Sequence, residues 1–237
     1  MIWQLIRGMQ GDLTDLDMAA LMVSFAAMAV VLLLCLPMHE YAHAWAAKKL
    51  GDDTAWMHGR LTLNPAKHLD LFGTLMILFV GFGYAKPVPV NPRNFKDYKK
   101  GMALTAVAGP LSNLILAVAF CLLAYIAALF TIDTHNDLAF LVRDFFRIIF
   151  FSNVTLMVFN LIPFPPLDGS RILDLVLPSK ISVFLAQHEN ILRWGVFVLL
   201  LFRGVIGFLS SLVASGIAFL IGLPFPFPSY YLLFEIL

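Results

Sequence analysis

The feature that most restricts what this chain can fold into is a series of apolar runs as long as a bilayer is thick, joined by short polar loops. Met18 to about Leu50 reads as one long helix, apolar to Leu36, and exceeds the ~20 residues that a span needs. Met102 to Phe130 reads as a second full span and Leu138 to Pro163 as a third. Ile191 to Leu223 is apolar again apart from Arg193 and Arg203, and is long enough for one helix or a hairpin of two. With 60% hydrophobic and only 13% charged residues, against roughly a quarter charged in soluble domains, the expectation is an all-α polytopic membrane protein. We expect a bundle of about four to six transmembrane helices, built as a single membrane domain over residues 1–237, because no stretch is left for a separate soluble unit.

The same composition excludes other classes. A net charge of +1, with the basic residues in loops rather than along a stripe, gives no electrostatic case for nucleic acid. Cys35 and Cys121 both lie inside apolar runs, where they act as small hydrophobes and not as a disulfide framework. Gly11 to Asp17 carries three acids before the first long run, unlike a cleaved signal peptide, so the first span is expected to serve as the insertion signal.

The loops set the orientation. Gly51 stops the first helix, with Lys48 and Lys49 favourably placed in its last turn. Partial alternation from Thr54 to Leu63 predicts a short β-hairpin. Leu71 to Tyr84 has about fourteen residues and three glycines, below the ~17 of a spanning helix, so it is expected to be re-entrant or interfacial. Lys86-Pro87-Val88-Pro89-Val90 should be extended, since each proline removes a donor and disfavours helix in the residue before it. Amide donors remain only at Lys86, Val88 and Val90, so this segment can pair along one edge. Five basic residues from Lys86 to Lys100, and four more counting back to Lys48, put that whole loop in the cytoplasm; the acidic loop Thr131 to Asp137 then lies outside.

Against this background, His39-Glu40-Tyr41-Ala42-His43 is an H-E-x-x-H sequence inside an apolar helix. Residues at i and i+4 lie about 40° apart on one face, so the two imidazoles can share one metal ion. Catalytic zinc takes three protein ligands and keeps one open position. Glu40 would lie beside that position, able to take a proton from the attacking water and pass it to the leaving amine. The bland alternative is a chance match or buried polar packing. Three ionisable groups in one apolar helix each cost roughly 2 kcal/mol or more unless paired or hydrated, which favours the metal. Asp168, in the Pro-rich break after the third span, reaches the same depth if Leu71 to Tyr84 does not cross; it reads equally as a turn residue before Gly169. Asn113 and Asn160 are amides in apolar spans that can hold a substrate carbonyl or oxyanion, or bond between helices. His58 and His68 fall in the cytoplasmic loop and are expected to face solvent, and His135 and His188 read as solvated rather than ligating.

The H-E-x-x-H at 39 to 43, Ala-Gly-Pro-Leu-Ser-Asn at 108 to 113, and Asn160-Leu-Ile-Pro-Phe-Pro-Pro-Leu-Asp168-Gly169 together resemble the site-2 protease family of intramembrane zinc metalloproteases. Leu61-Thr62-Leu63-Asn64-Pro65 and Ala85 to Pro92 are similar to its short prokaryotic branch, which has no PDZ module. The resemblance implies one zinc per chain on His39, His43 and Asp168, Glu40 as catalytic base and Asn160 as a substrate-carbonyl contact. It also implies a catalytic core over about 18–175, with a helical tail over about 181–237. The function expected is an endopeptidase that cuts a substrate protein, a single-span one, in or near its transmembrane segment, in a prokaryotic inner membrane with the active site toward the cytoplasm. The segment at Val88 would hold the unwound substrate by strand addition. The rival reading is a transporter passing metal ions or protons along the same His and Asp residues.

Overall fold

In the computed structural model, residues 15–80, 85–129, 137–188, 191–192, 195 and 203–222 are described. The first expected span forms as α1 (Asp15–Val30), a π turn (Val31–Cys35) and α2 (Leu36–Lys49) in unbroken succession. The π turn has a local cause. Pro37 has no N–H to offer the Leu33 carbonyl one turn back, and just before it the ladder widens, with Leu36 N–H bonding to the Val31 carbonyl. Such single π turns inside α-helices cluster at functional sites. Gly51, at φ +107°, ends α2 as expected, and the Asp52 N–H returns to the Ala47 carbonyl at 2.9 Å.

The loop that follows is helical where a hairpin was expected. α3 (Thr54–Met57) is a single turn, because Asp52 Oδ1 accepts from both the N–H and the hydroxyl of Thr54 and winds the chain at its start. Gly59, at φ +64°, follows it. No sheet forms among the described residues; pairing is confined to one antiparallel bridge, Leu69 with Ala85. The β-hairpin is therefore corrected to a helical turn. α4 (Pro65–His68) is capped by Asn64, which accepts from Ala66 N–H at 3.0 Å. α5 (Leu71–Val80) has ten residues, too few to cross; Gly81 to Tyr84 lie outside the described residues. The segment from Lys86 is tied by its donor edge, Lys86 N–H to the His68 carbonyl at 2.7 Å. Arg60 clamps it from the side, donating to the carbonyls of Lys67, Lys86 and Pro87.

After a 3-10 turn (Pro92–Asn94) come α6 (Tyr98–Leu129), α7 (Asp137–Asn160), α8 (Asp168–Leu173), α9 (Ser179–Gln187) and α10 (Arg203–Gly222). α6 is the centre of the packing, lying against α7 most extensively and also against α2 and α8, while α7 in turn meets α1 and α10. Small residues permit these approaches: Ala117, Cys121 and Ala124 on α6 and Ala214 and Ala218 on α10 are fully buried with Tyr125, Phe150 and Val154. Helices in lipid gain little from hydrophobic association, so close van der Waals packing over small side chains is what holds them. A second cluster joins Ala27, Val31 and Cys35 to Ile149 of α7.

Three helices among the described residues are long and apolar enough to cross a membrane: 17–49, 98–129 and 204–222. Among the described residues, then, length and composition support three spans and not the expected four to six. The expected third span does form a helix, α7, but its first half carries Asp137, Arg143, Asp144 and Arg147, which interrupt the apolar stretch a span requires. Part of the apolar tail is the single helix α10; residues 196–202 and 223–237, the acidic loop at 131–136 and residues 1–14 lie outside the described residues.

Candidate metal centre

α2 and α6 meet in antiparallel register. His39 and His43 lie at i and i+4 on α2, and Thr105, Gly109 and Asn113 lie at successive steps of four on α6, so each set forms one stripe. His39 Nδ1 donates to Asn113 Oδ1 at 2.6 Å, and His43 Nδ1 donates to the Thr105 carbonyl at 2.7 Å. Between these contacts the backbone at Gly109 passes so close that a Cβ would overlap the Nε2 and Cε1 atoms of His43 and lie 2.6 Å from His39 Cε1. Only glycine fits. Pro110, next along α6, has no N–H to offer the Ala106 carbonyl four residues back.

Asp168 arrives from the other side. The chain breaks after α7 through Pro163-Phe164-Pro165-Pro166, with a cis peptide between the last two, and α8 begins at Asp168. Gly169 is required here too. A Cβ would lie 2.5 Å from the Ile162 carbonyl oxygen, a backbone atom with no room to retreat. Its absence lets α8 pack under the end of α7 and carries the carboxylate to the histidines.

Three ligand atoms converge as a result. His39 Nε2 and His43 Nε2 are 3.0 Å apart, and Asp168 Oδ2 is 3.4 Å from the first and 3.3 Å from the second. Both Nδ1 atoms donate, so in the neutral rings both Nε2 atoms carry lone pairs. They face one another and a carboxylate oxygen that has no hydrogen-bond partner. Three acceptors at such distances repel unless a cation lies among them. Atoms about 2.0–2.2 Å from a tetrahedral zinc lie roughly 3.3–3.6 Å from one another; the two separations to Asp168 fall in that range and the separation of the two nitrogens is a few tenths of an ångström shorter, so the donor set fits the ion that the resemblance implies.

The other expected site residues are placed differently. Glu40 is half-buried on α2 beside the cluster. Asn113 is fully buried, with its oxygen on His39 and its nitrogen donating to Asn153 Oδ1 at 3.0 Å; this is the interhelical bonding its position also allowed. Asn160, at the end of α7, donates to the Leu156 carbonyl one turn back at 2.9 Å. Val88 is half-buried in the loop, which has no strand ladder. His58 is exposed, whereas His68 is fully buried and bonds to the Thr62 carbonyl at 2.7 Å. Sequence reasoning missed Asn153 and Thr105. The signal for Asn153 was present, since it is an amide in an apolar run and lies two helical turns before Asn160.

Comparison with known proteins points to a metalloprotease. The model of a family described as peptidase family M50 matches residues 27–134 and 123–202. A Bacillus subtilis protein named "Putative zinc metalloprotease YwhC" is 45% identical over 164 residues, covering 69% of this chain and 74% of that protein. Proteins named "Putative zinc metalloprotease Rip2" from Mycolicibacterium smegmatis and Mycobacterium tuberculosis are 31% and 32% identical, over 70% and 72% of this chain. The match spans 62% and 64% of those two proteins, less than two thirds of their length. No solved structure matches the chain. The extent of the family match and the identity to the Bacillus relative establish that the chain belongs to peptidase family M50 and is an integral membrane metalloprotease.

Proposed function

We propose that this metalloprotease is an intramembrane zinc endopeptidase that hydrolyses a peptide bond in or near a transmembrane segment of a substrate protein. The observation that carries the reading is the convergence of His39 Nε2, His43 Nε2 and Asp168 Oδ2 within 3.0 to 3.4 Å of one another. His39, His43 and Asp168 would hold one zinc per chain. Bound there, zinc supplies a Lewis acid that acidifies water and polarises a carbonyl. Glu40 sits on the same helix, one residue from His39, and takes no part in the three-ligand cluster. Its carboxylate accepts the proton of the attacking water and delivers it to the leaving amine. Asn160, at the end of α7 three residues before the Pro-rich break, is offered as the contact for the substrate carbonyl, and Val88 as a backbone edge for the unwound substrate. Asn113 is committed to His39 and serves the metal ligand rather than the substrate.

In this reading residues 1–237 act as one domain, with the core over about 18–175 and the helical tail over about 181–237. The substrate is a single-span membrane protein, reached within the lipid bilayer of a prokaryotic inner membrane, and the site opens toward the cytoplasm. The basic loop from Lys48 to Lys100 supports that orientation. A transporter is not favoured, since the chain belongs to a peptidase family.

Elemental analysis of detergent-purified wild type should give one zinc per chain, lost from His39→Ala, His43→Ala and Asp168→Ala. Glu40→Gln keeps the metal and the fold but loses about 10² to 10⁴ in cleavage rate, measured on a panel of single-span substrates with the cut located by mass spectrometry. Equal cleavage by wild type and Glu40→Gln would end the proposed mechanism.

A further inference from the structure

The geometry points to Asn153 as a positioning residue that sets the tautomer of His39, and so its capacity to bind metal, through Asn113. The inference rests on His39 being a metal ligand. Asn153 lies on α7, fully buried, 40 residues from Asn113 and on a different helix. Four groups form a directional chain. Asn153 Nδ2 donates to the Ile149 carbonyl at 2.9 Å, Asn113 Nδ2 donates to Asn153 Oδ1 at 3.0 Å, and His39 Nδ1 donates to Asn113 Oδ1 at 2.6 Å. A backbone carbonyl can only accept, so Asn153 must turn its NH₂ toward Ile149 and its oxygen toward Asn113. Asn113 must then present NH₂ to Asn153 and oxygen to His39. Facing an oxygen, the neutral ring of His39 carries its proton on Nδ1 and a lone pair on Nε2, the atom in the three-ligand cluster.

Without Asn153 the chain loses its fixed end. Asn113 could then rotate its amide and offer NH₂ to His39 Nδ1, which favours the tautomer with Nε2–H and closes that nitrogen to a metal. His43 is set independently by the Thr105 carbonyl, which has no second orientation. It therefore provides a control in the same molecule. Cys35, on the π turn one helical turn before His39, receives a second bond from Asn153 Nδ2 at 3.3 Å, so α7 is tied to the metal-binding helix at two levels.

The test uses the full chain in detergent, labelled with ¹⁵N-histidine. Zinc is removed by a chelator, and the imidazole tautomers are read by NMR at pH 8, with His39 assigned from the signal lost in His39→Gln. Wild type should show His39 as the Nδ1–H form, and Asn153→Leu should show a mixture, with His43 unchanged in both. Zinc affinity, from competition with a chromogenic chelator, should fall about 10- to 100-fold in Asn153→Leu. In an Asn113→Leu background the same substitution should add little, because the two amides act in series. An unchanged His39 tautomer with wild-type zinc affinity in Asn153→Leu overturns the relay, as does an equal loss with and without Asn113. If Asn153→Leu does not fold, Asn153→Ser, too short to bridge to Asn113, takes its place. Failure of the underlying reading looks different, since wild type and His39→Gln would then bind zinc alike.

Discussion

Replacing Gly109 by alanine adds one methyl group where α6 passes closest to His39 and His43. That methyl would lie 2.6 Å from His39 Cε1, and nearer still to His43. Since ordinary contact begins near 3.4 Å, the His39 ring must retreat by about 0.8 Å and the His43 ring by more, or the helices must part by as much, against a tolerance of about 0.5 Å for a working constellation of this kind. Neither ring can swing freely, as each Nδ1 is bonded to α6 itself. Stability responds much less. Alanine favours helix over glycine by about 0.8–1 kcal/mol, while forcing a methyl into a filled space costs about 1–3 kcal/mol, leaving a net loss on the order of 0–2 kcal/mol. The expected result is a protein that inserts and folds but binds zinc at least tenfold more weakly. Chelator competition measures the affinity, and thermal unfolding of the metal-free protein measures the fold. Wild-type zinc affinity in Gly109→Ala would show that the close approach of α6 does not position the ligands.

Asp52 offers a prediction outside the membrane. It is fully buried and accepts from Thr54, Asn94 and the Asn91 N–H; burial pushes its carboxyl up, but these bonds outweigh burial and hold it below its ordinary value of 3.8. A depressed folded-state pKa contributes stability that is complete above the ordinary value and is lost as pH falls through the lower folded one. Asp52→Ala should therefore cost about 1–3 kcal/mol at pH 7, a difference that narrows below about pH 4; parallel melting curves for the two proteins down to pH 3 would contradict it. Topology gives the remaining prediction. Single cysteines at Lys67 and Lys96 should both react with an impermeant reagent from the cytoplasmic side, because α5, at ten residues, is too short to cross. Reaction from opposite faces would place the ends of α5 on different sides.

Much of the fold was legible where one physical period dominates. The first span and α6 follow from apolar length alone, whereas the same length left the tail open between one helix and two; the end of α2 follows from a glycine in the C-cap position, where the structure has Gly51 at φ +107°. α7 was legible as a helix but not as an apolar span, since Arg143, Asp144 and Arg147 matter differently to a helix than to a membrane crossing. The hairpin at Thr54 to Leu63 was misread for a local reason. Alternation over ten residues is a weak signal, and one carboxylate at Asp52, accepting two bonds from Thr54, was enough to wind that turn. The metal cluster was legible in part. Spacing of four on a helix shows that His39 and His43 share a face, but Asp168 lies 125 positions beyond His43, and sequence alone left it even between ligand and turn residue.

What sequence could not give is the way α6 serves the histidines, and its reason is register. Thr105, Gly109 and Asn113 lie four apart, as His39 and His43 do, but which residue meets which depends on how two helices slide past one another. In the observed register His39 meets Asn113, 74 residues away, and His43 meets Thr105, 62 residues away, with Gly109 between them. The small residue at Gly109, the amide of Asn113 and the Thr105 carbonyl each meet a histidine in this one register. The Ala-Gly-Pro-Leu-Ser-Asn run thus has two separable physical roles: space at Gly109 and an acceptor for His39 at Asn113. These roles make different demands on substitution. The space tolerates no side chain, the acceptor tolerates only a group held in one orientation, and that orientation is settled a further helix away, at Asn153.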